Sequence, residues 1–438
     1  MRKINIIIGT LLLYSVTIFS QIEKDKTKLT GTISDIVNGI KIESVKISFL
    51  GNSTFSDANG SFTLQIPKNK LGKSKEYVLT FSKNNFDPLT LKVPVNEIED
   101  IAVKMKSPYP LRNIFHLFQN PNIPDQGPKE SPQTPKCAED KVVADLVGGQ
   151  LNRHNFIYIG ENFHRICLVL NGKLAWHYDT QDSWEDDEVW LLSNGNVLHA
   201  HMKYIEEINP MKEIVWRYDN PEGTEIHTCQ PIGVDKVLFL QNEGNASIVR
   251  LYNKVTKKFE IEKELKELNG GPHGQGRRFR LTADGTYVAA AMSNSKLLEY
   301  DKDFNLIRTI NTGPIWSGVK LKNGNYLVQN ERESKSIEFG KDGKIIWQVT
   351  INELQPQIDR LAPGLGKITS PQTCERLANG NTVIFTRFCD TTIPQAIEVT
   401  PDKKIVWILK DWKNLGDSVS AQFLNEPGYP EIPGETNH

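Results

Sequence analysis

Over residues 138–438 apolar and polar positions alternate in short runs, and the runs are separated by Asn-Gly, Asp-Gly and Pro-containing turns. A period of two marks half-buried β-strands, and a tight turn between two such runs marks a hairpin. One set of hairpins reads "VWLLSNGNVLHA", "PIGVDKVLFLQN", "FRLTADGTYVAA", "VKLKNGNYLVQN" and "ERLANGNTVIFT". A second set alternates with it: "CLVLNGKLAWHY", "IEEINPMKEIVWRY", "VRLYNKVTKKFEIE", "LLEYDKDFNLIRTI", "SIEFGKDGKIIWQV" and "AIEVTPDKKIVWIL". Trp176, Trp216, Trp347 and Trp407 fall at matching points of the second set, with Phe259 and Ile307 in the other two. Two hairpins make one four-stranded antiparallel unit, and its repetition predicts a β-propeller of six blades. The first blade draws its opening hairpin from "VGGQLNRHNFIYIG", and the four tryptophans sit on outermost strands.

The same alternation appears nearer the N-terminus. From Lys28 to Pro67 the chain alternates, with Val45, Ile47 and Phe49 on one face, then turns at Asn59-Gly60; "YVLTFSK" and "LTLKVPV" follow. Residues 28–106 therefore form a small β domain. Residues 107–137 are rich in proline and read as an extended linker, with "NIFHLF" inside it as a segment able to dock on a neighbour. Ahead of both stands "MRKINIIIGTLLLYSVTIFS", with Arg2 and Lys3 before an apolar run that is short for a bilayer. This is the layout of a secretory signal over residues 1–20. The mature chain is expected to start near Gln21 and to reside in the periplasm or outside the cell.

Composition narrows the partners. The 438 residues carry 52 basic and 53 acidic side chains, a net charge of −1. That balance gives no electrostatic case for nucleic acid or for a membrane surface once the signal is gone. Five scattered cysteines, Cys137, Cys167, Cys229, Cys374 and Cys389, contain no CxxC and no zinc spacing. Disulfide pairing stays open, no metal-ligand set is visible, and no cofactor is expected. The acidic run Asp182–Glu188 reads as a solvated loop rather than a calcium site.

The chemistry concentrates in the long loops that lead into each innermost strand. They bring Trp184, His227, His273, Trp316 and Ser370 to one mouth of the channel, while the second strands deliver His199 or His201, Asn242, Asn330 and Arg387. "GGPHGQGRRF" adds Arg277 or Arg278, on opposite sides of its strand. His227, His273 and Arg277 are the candidate catalytic residues. Trp184, His201, Trp316, Arg387, Asn242 and Asn330 are candidates for substrate binding. Arginine grips planar oxyanions, tryptophan stacks on rings, and histidine serves as base, acid or nucleophile, so the funnel suits an anionic ligand with a flat ring.

Two stretches carry family resemblances. Gly31, Asp35, Asp57, Asn59, Gly60 and Phe62 fit a "G…D…TD-x-G-x-F" pattern, which resembles the carboxypeptidase regulatory-like domain. The resemblance implies an immunoglobulin-like β-sandwich without catalysis, a spacer or a docking module for other exported or cell-surface proteins. "EVWLLSNGNVL" and "WSGVKLKNGNYLV", alternating with "KEIVWRY"-type strands, resemble the exported arylsulfotransferases, six-bladed propellers of the quinone-cofactor-type superfamily. That likeness implies a histidine that takes a sulfuryl group from an aryl sulfate and passes it to a phenol, with His227, His273 and Arg277 similar in type and location. The last blade has no strand histidine to match the nucleophile. Two other classes remain beside it: a polysaccharide enzyme of the uronate lyase type, and a non-catalytic carbohydrate-binding protein.

Overall fold

The computed structural model describes residues 26–70, 75–125, 153–161, 164–180, 184–387, 393–416 and 420–438. The apolar leader, Cys137 and Cys389 lie outside these residues. Cys167, Cys229 and Cys374 are buried free thiols. Among the described residues no helix is long and apolar enough to cross a membrane. The chain divides into two compact units, residues 1–108 and 109–438.

The first unit holds two sheets over one core. One places Lys26–Asp35 between Ser61–Pro67 and Ile101–Met105; the other runs Asn52–Phe55, Lys46–Phe49, Glu76–Ser82, Leu89–Pro94. Leu29, Ile33, Val45, Ile47, Leu79 and Phe81 are fully buried in the core, so the alternating faces do meet. The motif residues have local reasons. A Cβ on Gly31 would stand 2.2 Å from the Ile101 carbonyl oxygen, so only glycine lets the neighbouring strand approach. Asp57 Oδ1 accepts from the backbone N–H groups of Asn59 and Ser61, each at 2.9 Å, and so closes the turn at Asn59-Gly60.

The second unit contains six four-stranded antiparallel sheets among the described residues, and these repeated sheets resemble the blades of a β-propeller. Innermost strands of successive sheets touch: Asp186–Leu191, Glu225–Ile232, Gly276–Leu281, Ser317–Lys320 and Pro371–Arg376. Trp176, Trp216, Trp347 and Trp407 lie on the fourth strands of their sheets. The last sheet packs on the first through Phe156, Tyr158, Val383, Phe385, Trp407 and Phe423, which closes the ring.

The first sheet differs from the sequence expectation. Its innermost strand is Ser420–Phe423, from the C-terminal end of the chain, paired antiparallel with Phe156–Ile159. Four residues with no period of their own gave no signal for this role. Beyond the strand, the tail crosses the face opposite the long loops. Glu431 accepts from Ser193 N at 2.6 Å and its carbonyl from Gly233 N at 2.9 Å, Gly434 packs on Ala283, and Lys322 N donates to Asn437 O at 2.8 Å. The tail thus touches the second to fifth sheets and covers that end of the channel. Behind it a cavity of about 50 Å³ is lined in part by Glu188, Arg280, Glu375 and Gln422.

The linker expectation also needs correction at its start. Pro110–Gln119 is a 3-10 helix whose Leu111, Ile114 and Phe118 are buried against the first two sheets, Phe118 standing edge-on to Trp176 at 5.7 Å. Its apolar spacing of three and four residues outweighs the proline content around it.

Adjacent blades are also tied by a recurring ion pair. A third-strand glutamate reaches a basic residue of the next sheet: Glu207 to Lys254, Glu299 to Lys320 at 2.6 Å, Glu338 to Arg376 at 2.7 Å, and Glu398 to Arg153 at 2.5 Å. The last pair bridges the closure. Burial alone would raise the Glu398 carboxyl, but donation from His154, Arg153 and Asn381 holds it down to about 2. A depressed carboxyl contributes stability that is complete above the unfolded value near 4.5 and is lost as pH falls toward 2. Glu398→Gln is therefore expected to destabilise the second unit at neutral pH by about 1.5–3 kcal/mol, the worth of hydrogen bonds to a charged group. The gap from wild type should narrow between pH 4.5 and 2 in thermal melts; a gap that does not change with pH would count against the pair.

Candidate active site

Four of the innermost strands carry a β-bulge near the end where the long loops enter. In the second sheet Asp186 and Glu188 face His201 and Ala200, leaving Asp187 extra; in the fourth, Gly276 and Arg278 face Ala291 and Ala290, leaving Arg277 extra. The third sheet sets His227 and Thr228 against one residue, and the sixth leaves Gln372 extra. A bulge turns a side chain out of the pleat and is common beside functional sites. Equivalent bulges thus aim Asp187, His227 and Arg277 at one another across three sheets. In the fourth sheet Gly276 lets Leu240 pack close against the bulge, since a Cβ there would lie 2.4 Å from Leu240 Cδ1.

The result is a closed hydrogen-bonded ring. His227 Nδ1 lies 2.9 Å from Asp187 Oδ2, and His227 Nε2 lies 2.9 Å from Glu225 Oε2. The same Glu225 oxygen lies 3.0 Å from His273 Nδ1. Arg277 bridges the two imidazoles: its Nη1 is 2.7 Å from His227 Nδ1 and its Nη2 is 2.7 Å from His273 Nε2. Nη1 also donates to Glu185 Oε2 at 3.0 Å. The two rings stand edge-on with centroids 5.5 Å apart. His227, Asp187 and Arg277 are buried, whereas 52% of the His273 side chain is exposed, so the chain of groups ends on one accessible imidazole.

The electrostatics follow from this packing. Burial would raise Glu225, but the imidazole N–H groups of His227 and His273 hold it well below the usual carboxylate range. Burial and the Arg277 charge disfavour protonated His227, yet Asp187 and Glu225 hold its pKa above the ordinary imidazole value. Burial pushes Asp187 up against the pull of His227. Burial also pushes Glu161 up to about 8, against the opposing charge of Arg387.

The other sequence candidates divide. Trp184 is half exposed beside Glu185, with Lys203 Nζ 4.9 Å from its ring centre. Trp316 is buried under Arg277 and Arg278, at 5.8 and 5.5 Å, and lines a cavity of about 350 Å³ with Glu331, Arg332, Thr369 and Ser370. Arg387 donates to Glu161 at 2.5 Å. His201, Asn242 and Asn330 do not present themselves to a ligand. His201 is buried, stacked on Tyr204 at 4.2 Å, and accepts from Lys203 N. Asn242 and Asn330 are buried and bond the backbone of Gly276 and Thr312, because an amide at a strand end satisfies loop groups that lack ladder partners. Arg278 turns away from the histidines and pairs with Glu188.

The carboxylates Glu185, Asp187 and Glu225 carry as much of the site as the histidines. The run read as a solvated acidic loop is corrected: Asp186, Asp187 and Glu188 are all buried, each with different partners. Folding brings donor atoms of Glu185, His227 and His273, which no sequence spacing links, within 4.8 Å of one another. The Arg277 guanidinium contacts all three, so a positive group already stands where a cation would go.

Comparison with known proteins gives the fold and no more. No family model matches the chain, and no curated protein does. Among solved structures, a protein of unknown function from Bacteroides caccae is similar at 20% identity and a TM-score of 0.54, covering 62% of this chain and 99% of its own. A catalytically inactive virginiamycin B lyase from Staphylococcus aureus with quinupristin is similar at 14% identity and a TM-score of 0.41, covering 62% of this chain and 87% of its own. The WD40 β-propeller domain of Doa1 is similar at 13% identity and a TM-score of 0.33, covering 69% of this chain and 91% of its own.

Proposed function

We propose that the chain is an exported protein in which an immunoglobulin-like spacer precedes a six-bladed propeller, and that the propeller mouth is an acid–base site of the uronate lyase type. The observation that carries this reading is the run Asp187–His227–Glu225–His273, which ends on a half-exposed imidazole, with Arg277 bridging both rings. Glu225 accepts the Nδ1 proton of His273 and so leaves the lone pair on Nε2, which Arg277 Nη2 engages at 2.7 Å with Glu185 Oε1 3.6 Å away. A substrate carboxylate competes for that guanidinium. Its arrival frees Nε2 when the acidic C–H next to the carboxylate is in place.

His273 then takes that proton. The C–H electrons become a carbon–carbon double bond, the neighbouring C–O bond breaks, and the imidazolium returns its proton to the leaving oxygen. Arg277 stabilises the charge that builds on the carboxylate meanwhile. Trp184 offers an exposed face for an adjoining sugar ring.

Sulfuryl transfer is the second reading, because the same Nε2 lone pair beside a guanidinium could attack sulfur. The purified chain should release unsaturated product from a uronic-acid polymer and transfer nothing from an aryl sulfate to a phenol. Transfer without unsaturated product would reverse the order of the two readings. No turnover in either assay, with binding of neutral glycans, would make the protein a carbohydrate receptor.

A further inference from the structure

A cavity of about 350 Å³ lies at the same mouth, among the loops that lead into the fifth and sixth sheets. Met292 and Pro314 give it a partly exposed apolar wall, and Glu331, Arg332, Thr369 and Ser370 give it polar groups. It adjoins the relay on two counts. Trp316, which also lines it, has its ring centre 5.8 Å from the Arg277 guanidinium. Met292 N donates to Gln275 O at 3.1 Å, two residues before Arg277. Neighbouring rings of one sugar chain can therefore occupy both places.

The polar groups of the relay are all engaged with one another; those of the cavity are not. Among the described residues, no side-chain hydrogen bond involves Glu331, Arg332, Thr369 or Ser370. Glu331 Oε1 stands 3.9 Å from Arg387 Nη1, too far for a hydrogen bond, although only 24% of its side chain is exposed. A carboxylate so largely covered and short of donors is ready to accept from a ligand. An apolar wall with a few converging polar groups is the usual make-up of a small-ligand site, and such sites usually span about 300–1,000 Å³.

We propose that this cavity is the subsite for a neutral sugar linked to the uronate held at Arg277, so that the substrate class is a polymer in which uronate and neutral sugars alternate. The inference rests on the lyase reading. A pyranose ring has both parts that the cavity asks for: a face of C–H groups to lie on Met292 and Pro314, and a rim of hydroxyls. Glu331 accepts from neighbouring hydroxyls, while Thr369 and Ser370 both donate and accept. Arg332, exposed at the rim, donates to an outward oxygen. A second uronate fits worse, because its carboxylate would stand against Glu331 in a largely covered place, where like charges repel strongly.

The test gives the full chain hyaluronan, heparosan and unsulfated chondroitin, which alternate, and polygalacturonate and alginate, which are uronate throughout, and reads unsaturated product. At least one alternating polymer should be turned over with kcat/KM about 10–100-fold above both homopolymers, the worth of hydrogen bonds to a charged group. Glu331→Gln, and Thr369→Trp, which fills the cavity from an exposed position, should each raise KM for that polymer about 10-fold with kcat nearly kept. Should Glu331→Gln fail to fold, Thr369→Trp carries the same comparison. Equal or better turnover of a homopolymer overturns the subsite and leaves the lyase reading standing, and so does an unchanged KM in the variants. No unsaturated product from any of the polymers is the other failure: it overturns the lyase reading, and the subsite falls with it.

Discussion

His273→Ala is expected to lower turnover of a uronic-acid polymer by about 10²–10⁴-fold, the usual contribution of a positioned acid–base group. The protein should otherwise be intact. The side chain is 52% exposed and its bonds are to Glu225 and Arg277, so removing it opens no core cavity. Melting temperature should stay close to that of wild type. Glu225→Gln gives the companion result: an amide oxygen can still accept from one imidazole but can no longer hold both rings by charge, so kcat should fall while KM changes little. Trp184→Ala should do the reverse, raising KM with kcat nearly kept. Retained turnover in His273→Ala would sink the assignment of the base. A large drop in its melting temperature would show the residue to be structural instead.

The second large effect concerns closure of the ring. Phe423 is buried among Phe156, Phe385 and the His154 ring at the seam between the last and first sheets. Phe423→Ala should cost about 3–5 kcal/mol, as for other buried phenylalanines. Deleting residues 420–438 should be worse. It would strip Phe156–Ile159 of its ladder partner and uncover both the seam and the far end of the channel. With total domain stability of about 5–15 kcal/mol, the second unit should lose its cooperative melt. The first unit, which has its own core, should keep a separate transition. A deletion variant with an unchanged calorimetric profile would show that the C-terminal strand is dispensable.

Strands that carry turn signals were legible, because period-two patterning and Asn-Gly turns act locally. "VWLLSNGNVLHA" became Asp186–Leu191 and Val197–His201, paired as the pattern requires. Ser420–Phe423 was invisible, since its partner lies more than two hundred and fifty residues away and pairing, not local preference, makes it a strand. The site was half legible for a similar reason. His227, His273 and Arg277 announced themselves by residue type and loop position. Asp187 was hidden because alternation assumes an unbroken pleat, and a one-residue bulge reverses which side chain faces inward. Asn242 and Asn330 misled because a strand-end asparagine looks the same whether it meets a ligand or a carbonyl.

The tail laid from Ser193 to Lys322 makes the channel a cul-de-sac. A polymer cannot thread through it, so it must approach by a chain end or a surface segment and back out by the way it came. Product and incoming substrate then queue at the same door. On the proposed lyase reading, departure of the shortened chain, rather than proton transfer at His273, is the step expected to set the pace at high substrate, and added product should slow turnover by occupying the entrance.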